Sequence, residues 1–84
     1  MADTFQIEIA TPEKLVIQQS ADSAHIPGKD GYMGILPGHA ALLSELGSGT
    51  LSVTNAGKTQ NFEISGGYVE VRDNHVRVLA DKAE

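Results

Sequence analysis

The chain lacks three things: cysteine, any long apolar run and any cluster of basic residues. Without cysteine there is no disulfide framework, thiol nucleophile or thiolate metal site, so packing alone must hold the core. Its six basic residues stand singly at 14, 29, 58, 72, 77 and 82, against eleven acidic ones, for a formal net charge of −5. Nucleic acids and anionic lipid surfaces bind through clustered Lys and Arg that displace counterions, so both are disfavoured as partners. No apolar run approaches the roughly 20 residues that a membrane span needs. The N-terminal MADTFQIEIA does not have the charged-then-apolar layout of a signal peptide. Direct membrane insertion is therefore not expected, and any membrane association must go through another protein.

The length allows one domain, residues 1–84, whose single core buries about 60–65% of the unfolded surface. With 40% apolar and 20% charged residues the chain lies well away from disordered compositions. Phe5, Ile7 and Ile9 alternate with Gln6 and Glu8, the period of a half-buried strand, and Thr11-Pro12-Glu13-Lys14 ends it. Leu15–Gln19 reads as the returning strand, and Ser23–Ile26 as a shorter one that sets Ala24 and Ile26 on one face and His25 on the other. His39–Leu46 is too short for a stable isolated helix and reads as a strand. Asp73-Asn74 as a two-residue turn would pair Val71 with Val76, Val69 with Val78, Glu70 with Arg77 and Tyr68 with Leu79. A four-residue loop, Asn55–Lys58, would set Leu51 opposite Phe62. Short strands every eight to twelve residues predict an antiparallel sandwich or barrel.

No catalytic set emerges. GKDGYMG lacks the Gly-Lys-Ser/Thr ending of a P-loop and carries Asp30 where a phosphate would be repelled, so no nucleotide site is read from it. His25, His39 and His75 have no ligand spacing between them, and no metal site is expected. His39 is either a turn histidine bonded to its loop or a partner contact. Ser48 and Ser65 lack a nucleophile elbow, and Glu70 is assigned to its cross-strand partner Arg77. What stays unassigned is apolar surface. If the four valines face inward, Tyr68 and Leu79 face outward as a pair, and Ala41, Leu42, Leu43 and Leu46 cannot all point inward from one strand. Such a set serves a protein partner or is buried by a second layer of the same fold.

The most informative segment is Ile26–Leu46, IPGKDGYMGILPGHAALLSEL, where glycines and prolines are interleaved with apolar residues in a non-repeating order. Together with SGGYVEV at 65–71 and VRVLADKAE at 76–84, it closely resembles the N-terminal β-domain of the epsilon-subunit family of F-type ATP synthases, over nearly the whole chain. The resemblance implies an all-β, flattened antiparallel sandwich of two sheets with about eight to ten short strands. It also implies a non-catalytic, cofactor-free place in the central stalk, linking the gamma subunit to the proteolipid ring for rotary coupling in ATP synthesis. The site would be the cytoplasmic face of a bacterial plasma membrane or an equivalent coupling membrane. By position, Lys29, Asp30, Gly31, Tyr32 and Met33 fall in the ring-contact loop, with Tyr32 standing where an acidic residue is common. Ala10, His39, Ala41, Leu42, Leu43 and Ser44 fall where the family meets gamma. Family members usually continue into a two-helix hairpin that inhibits hydrolysis and in some members binds ATP. This chain stops where that hairpin would begin, so neither property is carried over.

A second reading is a lipoyl- or biotinyl-type carrier domain, also small, acidic and all-β, with Lys82 in Asp81-Lys82-Ala83 as the modified residue. Its weakness is that Lys82 stands at the chain end and not at a mid-domain turn. A further expectation is that the 28–34 loop, rich in glycine and without a ladder partner, is mobile when no ring is present.

Overall fold

The computed structural model describes residues 3–84. Eight strands run in order: β1 Phe5–Ala10, β2 Leu15–Ala21, β3 Ser23–Gly28, β4 Gly31–Ile35, β5 Leu42–Glu45, β6 Ser48–Asn55, β7 Lys58–Arg72 and β8 His75–Ala83. Among the described residues there is no helix. The period-two pattern acts as expected in β1, where Phe5, Ile7 and Ile9 are buried while Gln6 is exposed.

The strands hydrogen-bond in the order β2-β1-β8-β7-β6-β3-β4, and β5 pairs separately with β7. β7 is long enough to serve two layers. Its residues 58–65 pair with β6, while Tyr68–Val71 pair with β5 on one edge and with β8 on the other. The change of layer occurs at Gly66-Gly67, both at positive φ (+66° and +113°). A Cβ on Gly67 would run into the carbonyl oxygen of Leu79, so only glycine lets β7 bend here while keeping its ladder to β8. One continuous sheet thus folds over itself. Ile7, Ile9, Val69, Val71, Val76 and Val78 from one layer close on Ala24, Ile26, Leu51, Val53 and Ile64 from the other in a single apolar cluster.

The expected all-antiparallel arrangement needs a correction. β1 and β8 pair in parallel, from Gln6↔His75 to Ala10↔Leu79. These are the first and last strands, so the whole intervening chain serves as their connection and no local crossover is required. The two expected sheets are likewise one mixed sheet in two layers.

The hairpin registers are as read from the sequence. Tyr68 faces Leu79, Val69 faces Val78, Glu70 faces Arg77 and Val71 faces Val76, around Asp73 and Asn74 at φ 50° and 63°. Leu51 faces Phe62, although the loop is shorter than expected. Asn55 pairs with Lys58, leaving a two-residue turn of Ala56 and Gly57 at φ 52° and 80°. Both turns have the paired positive φ that matches strand twist.

The segment 28–34 does have a ladder partner, contrary to the expectation above. β4 pairs with β3 from Ala24↔Ile35 to Gly28↔Gly31, so Lys29-Asp30 is a tight turn at the end of a hairpin. This tip is also tied sideways: the Lys29 amide donates to the Glu45 carbonyl (3.0 Å) and the Gly47 amide to the Pro27 carbonyl (2.9 Å).

Candidate interaction faces

The two layers present outer faces of opposite character. On the β2-β1-β8-β7-β5 layer, the register aligns outward residues in rows across the strands. One row runs Leu15, Ala10, Leu79, Tyr68, Glu45. The next runs Gln18, Glu8, Arg77, Glu70, Leu43. Leu15, Leu79, Tyr68 and Leu43 are 51%, 50%, 53% and 71% exposed. Residues 15, 68, 79 and 43 are distant in sequence and converge only through strand order: Leu15, Leu79 and Tyr68 form an apolar stripe, and Leu43 stands diagonal to Tyr68 at the end of the charged row beside it.

The opposite face, on β3, β6 and the first half of β7, is polar and internally paired. Ser52 Oγ donates to Asn61 Oδ1 at 2.8 Å, Thr54 and Thr59 hydroxyls lie 2.9 Å apart, and Thr50 Oγ1 donates to the Glu63 carboxylate. These are cross-strand partners in the β6–β7 ladder, so each outward polar group meets its neighbour.

The residues of the gamma-contact set are only partly gathered. Ala10 ends β1 half-buried, in the apolar row. On β5, Leu42 and Ser44 turn toward the core layer opposite Val71 and Val69, whereas Leu43 projects outward beside Glu70. Ala41 is exposed just before the strand. Of the leucines left open by the sequence, Leu42 and Leu46 therefore serve the interior and Leu43 the surface. His39 sits in the β4–β5 connection with its amide on the Leu36 carbonyl (3.1 Å) and Nδ1 2.7 Å from the Ala40 carbonyl. That is the turn-bonded arrangement. Asn74 fixes this connection from the β7–β8 turn, accepting from the Gly38 amide (2.8 Å) and donating to the Thr4 carbonyl (2.7 Å).

The ring-contact set also divides. Lys29 and Asp30 are exposed at the hairpin turn, with Lys29 Nζ 3.1 Å from Glu45 Oε2. Tyr32 is folded back over its own sheet: its ring stacks on His25 (centroids 5.3 Å apart) and its hydroxyl accepts from the Thr50 amide at 3.0 Å. Gly49 leaves the space for it, since a Cβ there would collide with the Tyr32 hydroxyl. Met33 packs half-buried against the core. The tip proper is thus Lys29, Asp30 and Gly31.

Two residue assignments change. Arg77 is opposite Glu70 in register, yet its Nε lies 3.3 Å from Glu8 Oε1 on the neighbouring parallel strand. The β1–β8 pairing, which hairpin arithmetic cannot see, supplies this competing carboxylate. Leu15 shares parity with Ile17, so alternation alone would turn both to the same side. A register shift between Ile9 and Ala10 pairs Ile17 with inward Ile9 but Leu15 with outward Ala10, and a bulge has no reliable residue signature.

Among the described residues no group of three or more His, Cys, Asp or Glu is placed to hold a metal. Lys82 lies within β8 opposite Ser65, not at a turn between strands, which removes the geometry that a carrier domain needs.

A family model described as the ATP synthase, Delta/Epsilon chain, beta-sandwich domain matches residues 4–84. The ATP synthase epsilon chain of Koribacter versatilis (strain Ellin345) is 50% identical over 84 residues, all of this chain and 59% of that one. The epsilon chain of Solibacter usitatus (strain Ellin6076) is 45% identical over 84 residues, all of this chain and 63% of that one. The chain thus spans less than two thirds of the length of these curated relatives. A chain in the cryo-EM structure of the Euglena gracilis mitochondrial ATP synthase, OSCP/F1/c-ring, matches with a TM-score of 0.93 and 25% identity, covering all of this chain and 54% of that one. A chain from the Tetrahymena thermophila mitochondrial ATP synthase central stalk and c-ring matches in fold, with a TM-score of 0.76 at 20% identity over 94% of this chain and 64% of that one. The carrier-domain reading finds no support among these matches. A two-layer sheet bent at Gly66-Gly67, matched by one family model over residues 4–84 and by epsilon chains from end to end, places the chain in the delta/epsilon β-sandwich family of ATP synthase subunits.

Proposed function

We propose that the chain is a non-catalytic central-stalk subunit of the proton-translocating F-type ATP synthase, acting as one β-sandwich domain over residues 1–84. Its apolar stripe docks on the gamma subunit, and its β3–β4 tip meets the polar loops of the proteolipid ring. It thereby joins the two for rotary coupling and sits peripherally at the cytoplasmic face of a bacterial membrane, or the equivalent face of another coupling membrane. The observation that carries this reading is the convergence of Leu15, Leu79, Tyr68 and Leu43 on one outer face, half or more exposed in each case. A contiguous apolar patch on so small a domain is a surface for a protein partner. Family membership and the matched OSCP/F1/c-ring structure of Euglena support a partner within an ATP synthase complex.

In this arrangement Leu43, not Leu42, is the informative position, because Leu42 also packs on the core. Gamma and the chain, mixed at micromolar concentration, should co-elute in size exclusion as a stoichiometric complex that Leu43→Asp weakens. A correctly folded gamma that leaves the chain unbound would reject the docking. On the ring side, Asp30→Lys should weaken capture of the chain by detergent-solubilised ring–gamma assemblies without affecting binding to gamma alone. Equal loss in both would place the tip in the gamma contact instead.

A further inference from the structure

The charged row beside the apolar stripe contains an imbalance. Glu70 is half-buried on β7, between Leu43 on β5 and Arg77 on β8. Arg77 is turned to Glu8, Arg72 Nε lies 3.6 Å from Asp73 Oδ2, and Lys29 is held by Glu45. Among the described residues, no ion pair or side-chain hydrogen bond reaches the Glu70 carboxylate. Glu70 also borders an open pocket of about 380 Å³, whose rim includes Glu8, Asp73, His75, Arg72 and Arg77. Three carboxylates and two guanidiniums line it, and the Nε atoms of Arg77 and Arg72 lie 3.3 Å from Glu8 and 3.6 Å from Asp73 and not on Glu70.

With Arg77 opposite it in register but turned to Glu8, the half-buried Glu70 carboxylate is left to solvent. A partner lying on Leu43, Tyr68 and Leu79 must cover Glu70 as well, since it is flanked by Leu43 in its own row and follows Tyr68 by two residues along β7. Covering a carboxylate without a counter-charge is strongly unfavourable, because lost hydration is not replaced. We propose that the gamma surface covering the stripe carries a lysine or arginine that enters this pocket and pairs with Glu70, making Glu70 the residue that selects the partner and sets its register on an otherwise greasy, weakly directional face. A guanidinium suits the site best, since it can bridge Glu70 and Glu8 through separate N–H groups. The inference rests on gamma docking as proposed above, and it adds the chemistry that the docked surface must bring.

The test is calorimetric titration of the full chain with gamma at two salt concentrations. Glu70→Gln should weaken binding about tenfold at low salt and flatten the salt dependence, and Glu70→Lys should weaken it about a hundredfold or more. Glu63→Gln, on the opposite face, is the control and should bind as the unmodified chain does. Among gamma variants with single basic surface residues changed to Glu, one should restore binding to Glu70→Lys. Unchanged affinity and salt slope for Glu70→Gln, in a chain whose binding Leu43→Asp weakens, would overturn the role of Glu70 and leave the docking intact. No binding by the unmodified chain would overturn both. Thermal melting of each variant, expected to match the unmodified chain, shows that the losses are not unfolding.

Discussion

The two outer faces are built from the same kind of strand, and in part from the same strand, yet they are finished differently. On the β6 side, outward positions carry Thr, Ser and Asn that bond across the ladder, as Ser52 does with Asn61 and Thr54 with Thr59. Those polar groups satisfy one another, while Tyr32 and Leu36 stay 53% and 63% exposed beside them. On the β8 side, the corresponding positions carry Tyr68, Leu79, Leu15 and Leu43, which gain nothing from each other that a partner would not improve. Tyr32, half exposed, is held to this face by its stacking on His25 and by accepting from the Thr50 amide where the β3–β6 ladder has ended. The contrast shows how one small sheet separates self-sufficiency from association. Alternation puts half of all side chains outside, and the choice of residue on each outer layer decides whether that surface is an end or an interface.

The contrast can be broken at its joint. Gly67→Ala forces a Cβ against the Leu79 carbonyl at a φ of +113°. Urea unfolding should report a loss of about 3–5 kcal/mol, with both faces lost together. A melting temperature close to that of the unmodified chain would mean that β7 bends elsewhere. Next is the shared interior: Leu51→Ala, at a fully buried position, should cost about 2–4 kcal/mol in the same assay. The faces themselves are separated by a matched pair. Leu43→Asp and Thr54→Asp should each cost about 1 kcal/mol of stability. Only the first should weaken gamma binding, by tenfold or more, about 1.4 kcal/mol. Equal weakening by both would erase the distinction.

Two smaller effects sharpen the polar side. Gly49→Ala should unseat the Tyr32 hydroxyl and destabilise by about 1–2 kcal/mol. Combined with Tyr32→Phe, its effect should be less than additive, because both changes act on one seat. Faster hydrogen exchange at the Thr50 amide would report the same event, and unchanged exchange would show that the hydroxyl is not its partner in solution. The smallest effect belongs to Ser52→Ala, which removes one exposed cross-strand bond and should cost about 0.5 kcal/mol. A much larger loss would mean that the polar face carries structural load.

Much of this was legible in advance, and the failures share a cause. Val69, Val71, Val76 and Val78 could be registered because a two-residue turn fixes a hairpin ladder arithmetically. The outward pair Tyr68–Leu79 followed directly. Leu15 escaped because a bulge reverses parity without a characteristic residue. Arg77 turns from Glu70 to Glu8, which lies 69 residues away in the chain and so beyond any local pattern. The stacking of Tyr32 on His25 is also not legible, because nothing local indicates that Gly49, 17 positions downstream, leaves room for its hydroxyl.

The sequence by itself determined which side chains face inward on β1, β7 and β8, the turn at Asp73-Asn74 and the family to which the chain is similar. Those properties are local: a period of two, a pair of left-handed residues, an order of glycines and prolines. Only the tertiary structure decided that the first and last strands pair in parallel, that one sheet folds over at Gly66-Gly67, and that four distant apolar residues lie on one face beside an uncompensated Glu70. Strand order is chosen by the burial of the whole core at once, and hydrophobic burial is non-directional. No single segment encodes which neighbour it will meet.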